Sequence, residues 1–244
     1  MITHEAFMKR AIELAKLGAG NVAPNPLVGA VIVHNGKIIG EGYHKKYGEP
    51  HAEVNAVNSV KDKSILSECT IYVTLEPCAH FGKTPPCSLL LVKHNFKAVV
   101  VGCRDSYEEV DGKGIQILEG AGIDVTLGVL EKECIELNKR FFTFHQKERP
   151  YVILKWAQDK NGFIDRDRSN EHKGNQWITQ PETKTLTHKW RAEEAAILVG
   201  NKTVANDNPS LTVREYTGPN PTRLVIDQKF RLDYGAFNLG CHHD

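Results

Sequence analysis

No apolar run in the 244-residue sequence approaches the roughly 20 residues that a membrane-spanning helix requires. The start, Met1-Ile2-Thr3-His4-Glu5, has neither the basic nor the apolar segment of a signal peptide, so a cytoplasmic setting is expected and a membrane partner is not. Six cysteines, at 69, 78, 87, 103, 134 and 241, are scattered without the spacing of a disulfide framework. A clustered basic face is missing too. Residues 1–145 carry 16 Lys and Arg against 17 Asp and Glu, and the remainder 15 against 13. Proteins that bind nucleic acid gather positive charge on one side, so the expected partner is a small molecule.

What is present reads as two α/β segments separated by the polar stretch Gln146-Lys147-Glu148-Arg149-Pro150. Residues 1–146 form the first expected domain and 150–244 the second. An amphipathic helix is predicted over Glu5–Leu17, with Thr3 as N-cap, Gly18 as the stop and Phe7, Ala11, Leu14, Ala15 and Leu17 on its buried side. A hairpin follows around Asn35-Gly36, from Val28–Val33 to Lys37–Gly40. Helices at 51–58, 86–94 and 114–119 then alternate with strands at 70–74, 98–102 and 124–127, and a closing helix runs from Glu131 to Phe142. Strands alternating with helices after an opening hairpin imply a mixed sheet covered on both faces. In the second segment, strands are predicted at 151–155, 195–199 and 223–227 and a helix at 181–193.

The chemistry is concentrated in His51-Ala52-Glu53 and the run from Thr74 to Cys87, T-L-E-P-C-A-H-F-G-K-T-P-P-C. One imidazole and two thiols supply three ligands of a catalytic zinc site that keeps its fourth position open, and a nearby carboxylate can move protons. Prolines at 50, 85 and 86 mark helix starts, and a helix N-terminus favours the thiolates that zinc needs. His51, Cys78 and Cys87 are therefore the candidate metal ligands and Glu53 the candidate catalytic residue. The order matches the zinc deaminase pattern of His-x-Glu followed by Pro-Cys and a second Cys, here widened by an inserted loop. Two other readings stay open: a cytosine or adenine deaminase of another pathway, and a non-catalytic module in which zinc is structural.

The P-C-A-H-F-G-K-T-P-P-C block, Pro24-Asn25-Pro26-Leu27-Val28-Gly29 and Gly48-Glu49-Pro50-His51-Ala52-Glu53 together resemble the pyrimidine deaminase of riboflavin biosynthesis, fused in its family to an aminouracil reductase. The resemblance covers residues 1 to about 230. It implies a cytidine-deaminase-like three-layer domain followed by part of a dihydrofolate-reductase-like domain. The implied activity is hydrolytic deamination of 2,5-diamino-6-ribosylamino-4(3H)-pyrimidinone 5′-phosphate. In it Glu53 takes a proton from water and returns it to the ring nitrogen and the departing amine. The resemblance also implies substrate contacts at Asn25, His44, His80 and Lys83, with His80 as a fourth metal ligand the alternative.

For the second domain the resemblance implies NADPH as cofactor, with contacts at Gln158, Trp177, Thr203, Asp207 and Gln228. Reductase substrate contacts are implied at Asn175, Arg191, Leu211 and Arg214, and association into homo-oligomers through this domain. Without the family, Trp177 reads as core and Arg191 as surface charge. The chain reaches Asp244 without the glycine-rich strand–helix junction that helps hold the cofactor pyrophosphate. An incomplete reductase domain with exposed sheet edges is accordingly expected.

Overall fold

The computed structural model describes residues 3–81, 85–106, 111–166, 168, 177–236 and 238. They divide into two compact units, Met1–Val152 and Ile153–Asp244.

The first unit is built on a five-stranded sheet of β1 (Gly29–His34), β2 (Lys37–Tyr43), β3 (Thr70–Leu75), β4 (Ala98–Cys103) and β5 (Asp124–Leu127). The order across the sheet is β2-β1-β3-β4-β5. β1 runs antiparallel to both of its neighbours, whereas β3, β4 and β5 are parallel, giving the mixed sheet expected from the opening hairpin. Asn35 and Gly36 both take positive φ, 47° and 74°, as the tight hairpin turn requires.

Side-chain alternation sends successive residues to opposite faces. Ile32, Ile71, Val73, Val99 and Val101 pack with Ala56, Val57, Leu91 and Leu118, from α2 (Ala52–Ser59), α3 (Cys87–Lys93) and α4 (Lys113–Gly120). Val31, Tyr72 and Val100 face the other way, onto α1 (His4–Lys16), α5 (Glu131–Leu137) and α6 (Lys139–Lys147) through Met8, Ala11, Cys134 and Phe142. Each fully buried aliphatic side chain of this kind contributes about 1.5–3 kcal/mol.

Several expectations are corrected. Leu17 is 60% exposed and does not share the buried side of α1, which Met8 and Ile12 complete instead. Thr3 occupies the N-cap of α1 but its side chain makes no capping hydrogen bond. The prolines lie at the edge of the helices rather than inside their first turns: Pro86 is the N-cap of α3, and Pro50 precedes His51, the N-cap of α2. The single closing helix is two, broken at Asn138.

In the second unit, α7 (Pro181–Glu193) begins with proline in its first turn, as its sequence predicts. Two strands, β6 (Ala196–Gly200) and β7 (Thr222–Ile226), pair in parallel, joined by a connection containing α8 (Asn201–Asp207), a helix the periodicity did not disclose. Residues 151–155 form no strand. A strand exists only where a neighbour takes up its backbone groups, and among the described residues none does so. Leu198, Leu224 and Ile226 are exposed.

Candidate metal centre and ligand site

Two loop–helix junctions converge at the C-terminal end of β3. The first is the start of α2, which lies directly on β2 because Gly42 has no side chain. A Cβ there would come within 2.3 Å of Ala56 N and 2.5 Å of Ala52 O. Asn55 ties the same helix down, donating from Nδ2 to the carbonyls of Tyr43 at 2.8 Å and Pro50 at 3.1 Å. His51 and Glu53 are thereby presented at one helix end, and Glu53 is buried at 3% exposure.

The second junction carries the thiols. Cys78 follows β3, and Cys87 opens α3, whose first N–H groups fold back onto the Cys78 loop. The backbone N–H of Cys87 donates to Cys78 Sγ at 3.2 Å, and Ser88 donates to Cys78 O from both its backbone N–H and its hydroxyl. Glu76 braces this loop from behind. Its carboxylate accepts the backbone N–H groups of Asp105 and Gly112 on Oε2 and of Gly114 and Ile115 on Oε1, at 3.0–3.3 Å. Gly114 also needs its missing side chain, since a Cβ would fall 1.9 Å from Pro77 O.

His51 Nδ1 lies 3.6 Å from Cys78 Sγ and 3.4 Å from Cys87 Sγ, and the three ligand atoms are all within 4.8 Å of one another. Zinc bonds of about 2.3 Å to sulfur and about 2.0 Å to nitrogen, set at a tetrahedral angle, separate the two donors by about 3.5 Å. The spacing and the donor chemistry both fit zinc. Among the described residues no fourth His, Cys, Asp or Glu joins the cluster, and His80 is exposed.

The electrostatics follow from crowding these groups out of water. The Cys78 thiol is pushed down to about 4, first by its hydrogen bond with Cys87 and then by His51, while sharing the same bond raises Cys87. His51 is raised, chiefly by Cys78. Glu53 is pushed up to about 7, first by burial and next by the charge of Cys78, and it hydrogen-bonds the Cys87 side chain.

A polar arm extends from this cluster. His44 is 2% exposed and its ring packs edge-on against that of His51, with centroids 5.4 Å apart. Its Nδ1 lies 3.2 Å from the Pro50 carbonyl, which can only accept, so Nδ1 carries the proton. Nε2 is then the acceptor for the Asn25 amide, which donates from Nδ2 at 3.1 Å. That commits one amide proton of Asn25 and leaves its carboxamide oxygen and second N–H as what it offers a ligand. Burial is the main reason that the His44 pKa is lowered, which keeps the ring neutral and able to accept.

Sequence reasoning thus anticipated Asn25, His44, His51, Glu53, Cys78 and Cys87, and the structure brings all six together. Lys83 lies outside the described residues, as does Asn175. Glu76, Asn55 and Asn138 went unassigned, although Glu76 stands inside the quoted motif.

In the second unit, a cavity of about 290 Å³ is lined by Trp177, Asp207, Arg191, Leu211 and Arg214. Trp177 is 65% exposed, which overturns its reading as core. Arg191 is no plain surface charge: it is half-buried, donates to Thr212 O at 3.0 Å, and its buried Nε has no hydrogen-bond partner among the described residues. Gln158, Thr203 and Gln228 are exposed and do not line the cavity. Asp207 accepts from Arg168 at 2.8 Å.

Comparison with known proteins agrees with this architecture. Residues 1–103 match the model of the cytidine and deoxycytidylate deaminase zinc-binding region, and residues 150–238 that of the RibD C-terminal domain. The fold and the cluster therefore define a zinc-binding deaminase domain joined to a second α/β unit. The riboflavin biosynthesis protein RibD of Aquifex aeolicus is 45% identical over 94% of this chain and 63% of its own length. That of Actinobacillus pleuropneumoniae is 46% identical over 92% and 58%.

Among solved structures, a diaminohydroxyphosphoribosylaminopyrimidine deaminase/5-amino-6-(5-phosphoribosylamino)uracil reductase from Thermotoga maritima superposes with a TM-score of 0.89 at 44% identity. It covers 97% of this chain and 66% of that one. The chain belongs to the RibD family of riboflavin biosynthesis proteins. It spans about three fifths of the length of the curated relatives it matches.

Proposed function

We propose that the deaminase domain, assigned to residues 1–146 within the first unit, catalyses hydrolytic deamination of 2,5-diamino-6-ribosylamino-4(3H)-pyrimidinone 5′-phosphate. The observation that carries this reading is the compact His51–Cys78–Cys87 cluster with buried Glu53 against Cys87. His51 Nδ1 and the two thiolates would hold zinc, which when bound supplies Lewis-acid activation of water at neutral pH.

The chain's own groups supply the rest. Glu53 accepts a proton from the water that adds to the ring carbon, delivers it to the adjacent ring nitrogen, and then carries the proton of the new hydroxyl to the exocyclic amine as the carbonyl forms. One C–O bond forms, one C–N bond breaks, and ammonia leaves. Burial keeps Glu53 away from bulk water, so its proton goes to the ring rather than to solvent. The neutral His44 holds the Asn25 carboxamide against the pyrimidine edge, where it can give and take a hydrogen bond. His80 and Lys83 are assigned to the same substrate, Lys83 to its phosphate as a point charge.

Residues 150–244 are assigned to the reductase part, with Arg191, Arg214, Leu211 and Asn175 toward its substrate. Arg191 and Arg214, two guanidinium groups among the cavity's lining residues, support an anionic ligand there. NADPH is the reductant assigned to this unit on family membership. Of its five expected contacts only Trp177 and Asp207 line the cavity. The described residues therefore form no complete cradle for it, and the activity proposed for this chain is the deamination. Binding of NADPH, followed by its fluorescence, tests the remainder. A charged, phosphorylated substrate argues for action in the cytoplasm, and self-association through the second unit is assigned with it, checked by light scattering.

Ammonia release from the diaminopyrimidinone phosphate, with elemental analysis of the same sample, is the decisive experiment. One zinc per chain and turnover that Glu53→Gln abolishes while zinc remains are the expected results. Wild-type rates in Glu53→Gln overturn the role of Glu53.

A further inference from the structure

We infer that Asn138 is a positioning residue for the deamination site, acting through Leu27 on Asn25. This rests on the proposed reading that Asn25 contacts the pyrimidine. The Asn138 side chain, 3% exposed, makes a two-point bond with the backbone of a residue 111 positions away. Its Oδ1 accepts the Leu27 N–H at 2.8 Å and its Nδ2 donates to the Leu27 carbonyl at 2.9 Å. A side chain here does what a neighbouring strand would do, because Leu27 precedes β1 and lies outside every ladder of the sheet.

The chemistry selects this residue type. A carboxamide presents one acceptor and one donor side by side, matching a backbone N–H and C=O together. Aspartate would set its second oxygen against the Leu27 carbonyl, and an aliphatic side chain would strand both backbone groups. The backbone is bent to make the reach possible. Asn138, at φ −108° and ψ 23°, interrupts what would otherwise run on as one helix from Glu131, and it does so at the point that faces Leu27.

The connection from Leu27 to Asn25 is short and stiff. Pro26 stands between them with its φ fixed by its ring, so a clamp at Leu27 restricts the Asn25 backbone directly. The Asn25 amide in turn bonds His44, and His44 bonds the Pro50 carbonyl immediately before His51. Beyond Leu27 the segment is held at Val28, whose carbonyl accepts the His44 N–H at 2.9 Å, and at Gly29, whose N–H donates to Thr74 Oγ1 at 3.2 Å. The Asn25 N–H itself donates to Val22 O at 2.9 Å, which fixes the near side of the segment, and Asn138 fixes the far side; without it nothing among the described residues bonds the Leu27 backbone.

The test is steady-state ammonia release by the full chain carrying Asn138→Ala, Asn25→Ala or both, with amide exchange measured at Leu27. The expected result is a KM for the diaminopyrimidinone phosphate raised about tenfold or more in Asn138→Ala, with kcat changed less than about threefold. Zinc content should be unchanged and Leu27 amide protection lost. In the Asn25→Ala background the same substitution should raise KM no further, since both act through one contact.

An unaltered KM in Asn138→Ala alongside a raised KM in Asn25→Ala overturns the inference, as do effects that simply add in the double variant. An unaltered KM in Asn25→Ala overturns the assignment of Asn25 to the substrate, and the inference falls with it. Should Asn138→Ala fail to fold, Asn138→Asp, which keeps the shape and one of the two bonds, carries the same comparison.

Discussion

The backbone N–H of Gly114 donates to Glu76 Oε1 at 3.0 Å, joining the first turn of α4 to the residue two before Cys78. Four amides converge on this one buried carboxylate, so it functions as a fixed peg for the loop that carries the thiol rather than as a proton carrier. Glu76→Gln turns an N–H donor toward other N–H donors and leaves buried amides unpaired, at a cost of about 2–3 kcal/mol. The expected outcome is a lowered urea midpoint and zinc held at least about tenfold more weakly. Chelator competition measures the second effect.

Gly42→Ala should be more damaging than an exposed glycine substitution. Its new methyl meets backbone atoms of Ala56 and Ala52, which cannot swing aside, so α2 must move off β2 and take His51 and Glu53 with it. Overpacking of this kind costs about 1–3 kcal/mol. Urea unfolding gives the stability change, and the ratio of zinc to protein shows whether His51 still reaches the thiols. Gly122→Ala, where a Cβ would meet nothing within 4 Å but φ is 79°, is a control that isolates backbone strain.

Stripping the metal with a chelator should abolish ammonia release, and adding zinc back should restore it. His51→Ala and Cys78→Ser should each lose zinc and reduce turnover by about a hundredfold or more. Retention of full zinc by either variant would remove that residue from the ligand set.

A pH dependence is expected in the second unit from His188. It is 2% exposed, and its Nδ1 accepts the backbone N–H of Arg214 at 2.9 Å. Burial first, then Arg191 and Arg214 and more weakly Lys184, hold its pKa below the ordinary histidine value, against the opposing pull of Glu215. The unfolded chain therefore takes up the proton before the folded one does. The stability that His188 contributes is complete above about pH 6.5 and is lost as the pH falls from there through the lower folded value. Tryptophan-monitored urea unfolding should show a lower midpoint at about pH 5.5 than at pH 7.5, and His188→Gln should narrow that difference.

The metal cluster was legible because zinc accepts few donor types and the flanking prolines announce helix ends. The mixed sheet was legible from one Asn-Gly turn followed by alternating apolar segments. Glu76 was not, since its partners are backbone amides that every sequence possesses. Asn138 was hidden by a periodicity that continues across it from Cys134 to Phe142, both of which are buried. Residues 151–155 misled for the opposite reason: their composition suits a strand, but strands are defined by neighbours. Trp177 was misread because aromatic bulk alone does not distinguish a packed ring from one lining a cavity.

The spacing of the ligands along the chain has a mechanical consequence. His51 and Cys87 are 36 residues apart, and between them lie α2, β3 and the thiol loop. A metal bridging them closes that loop into a ring, and the entropy of closure is then paid once, at the moment of loading. Zinc, once bound, would act as a rivet between the hairpin side and the parallel side of the sheet, and its departure would let the two ligand junctions fray before the core behind them melts.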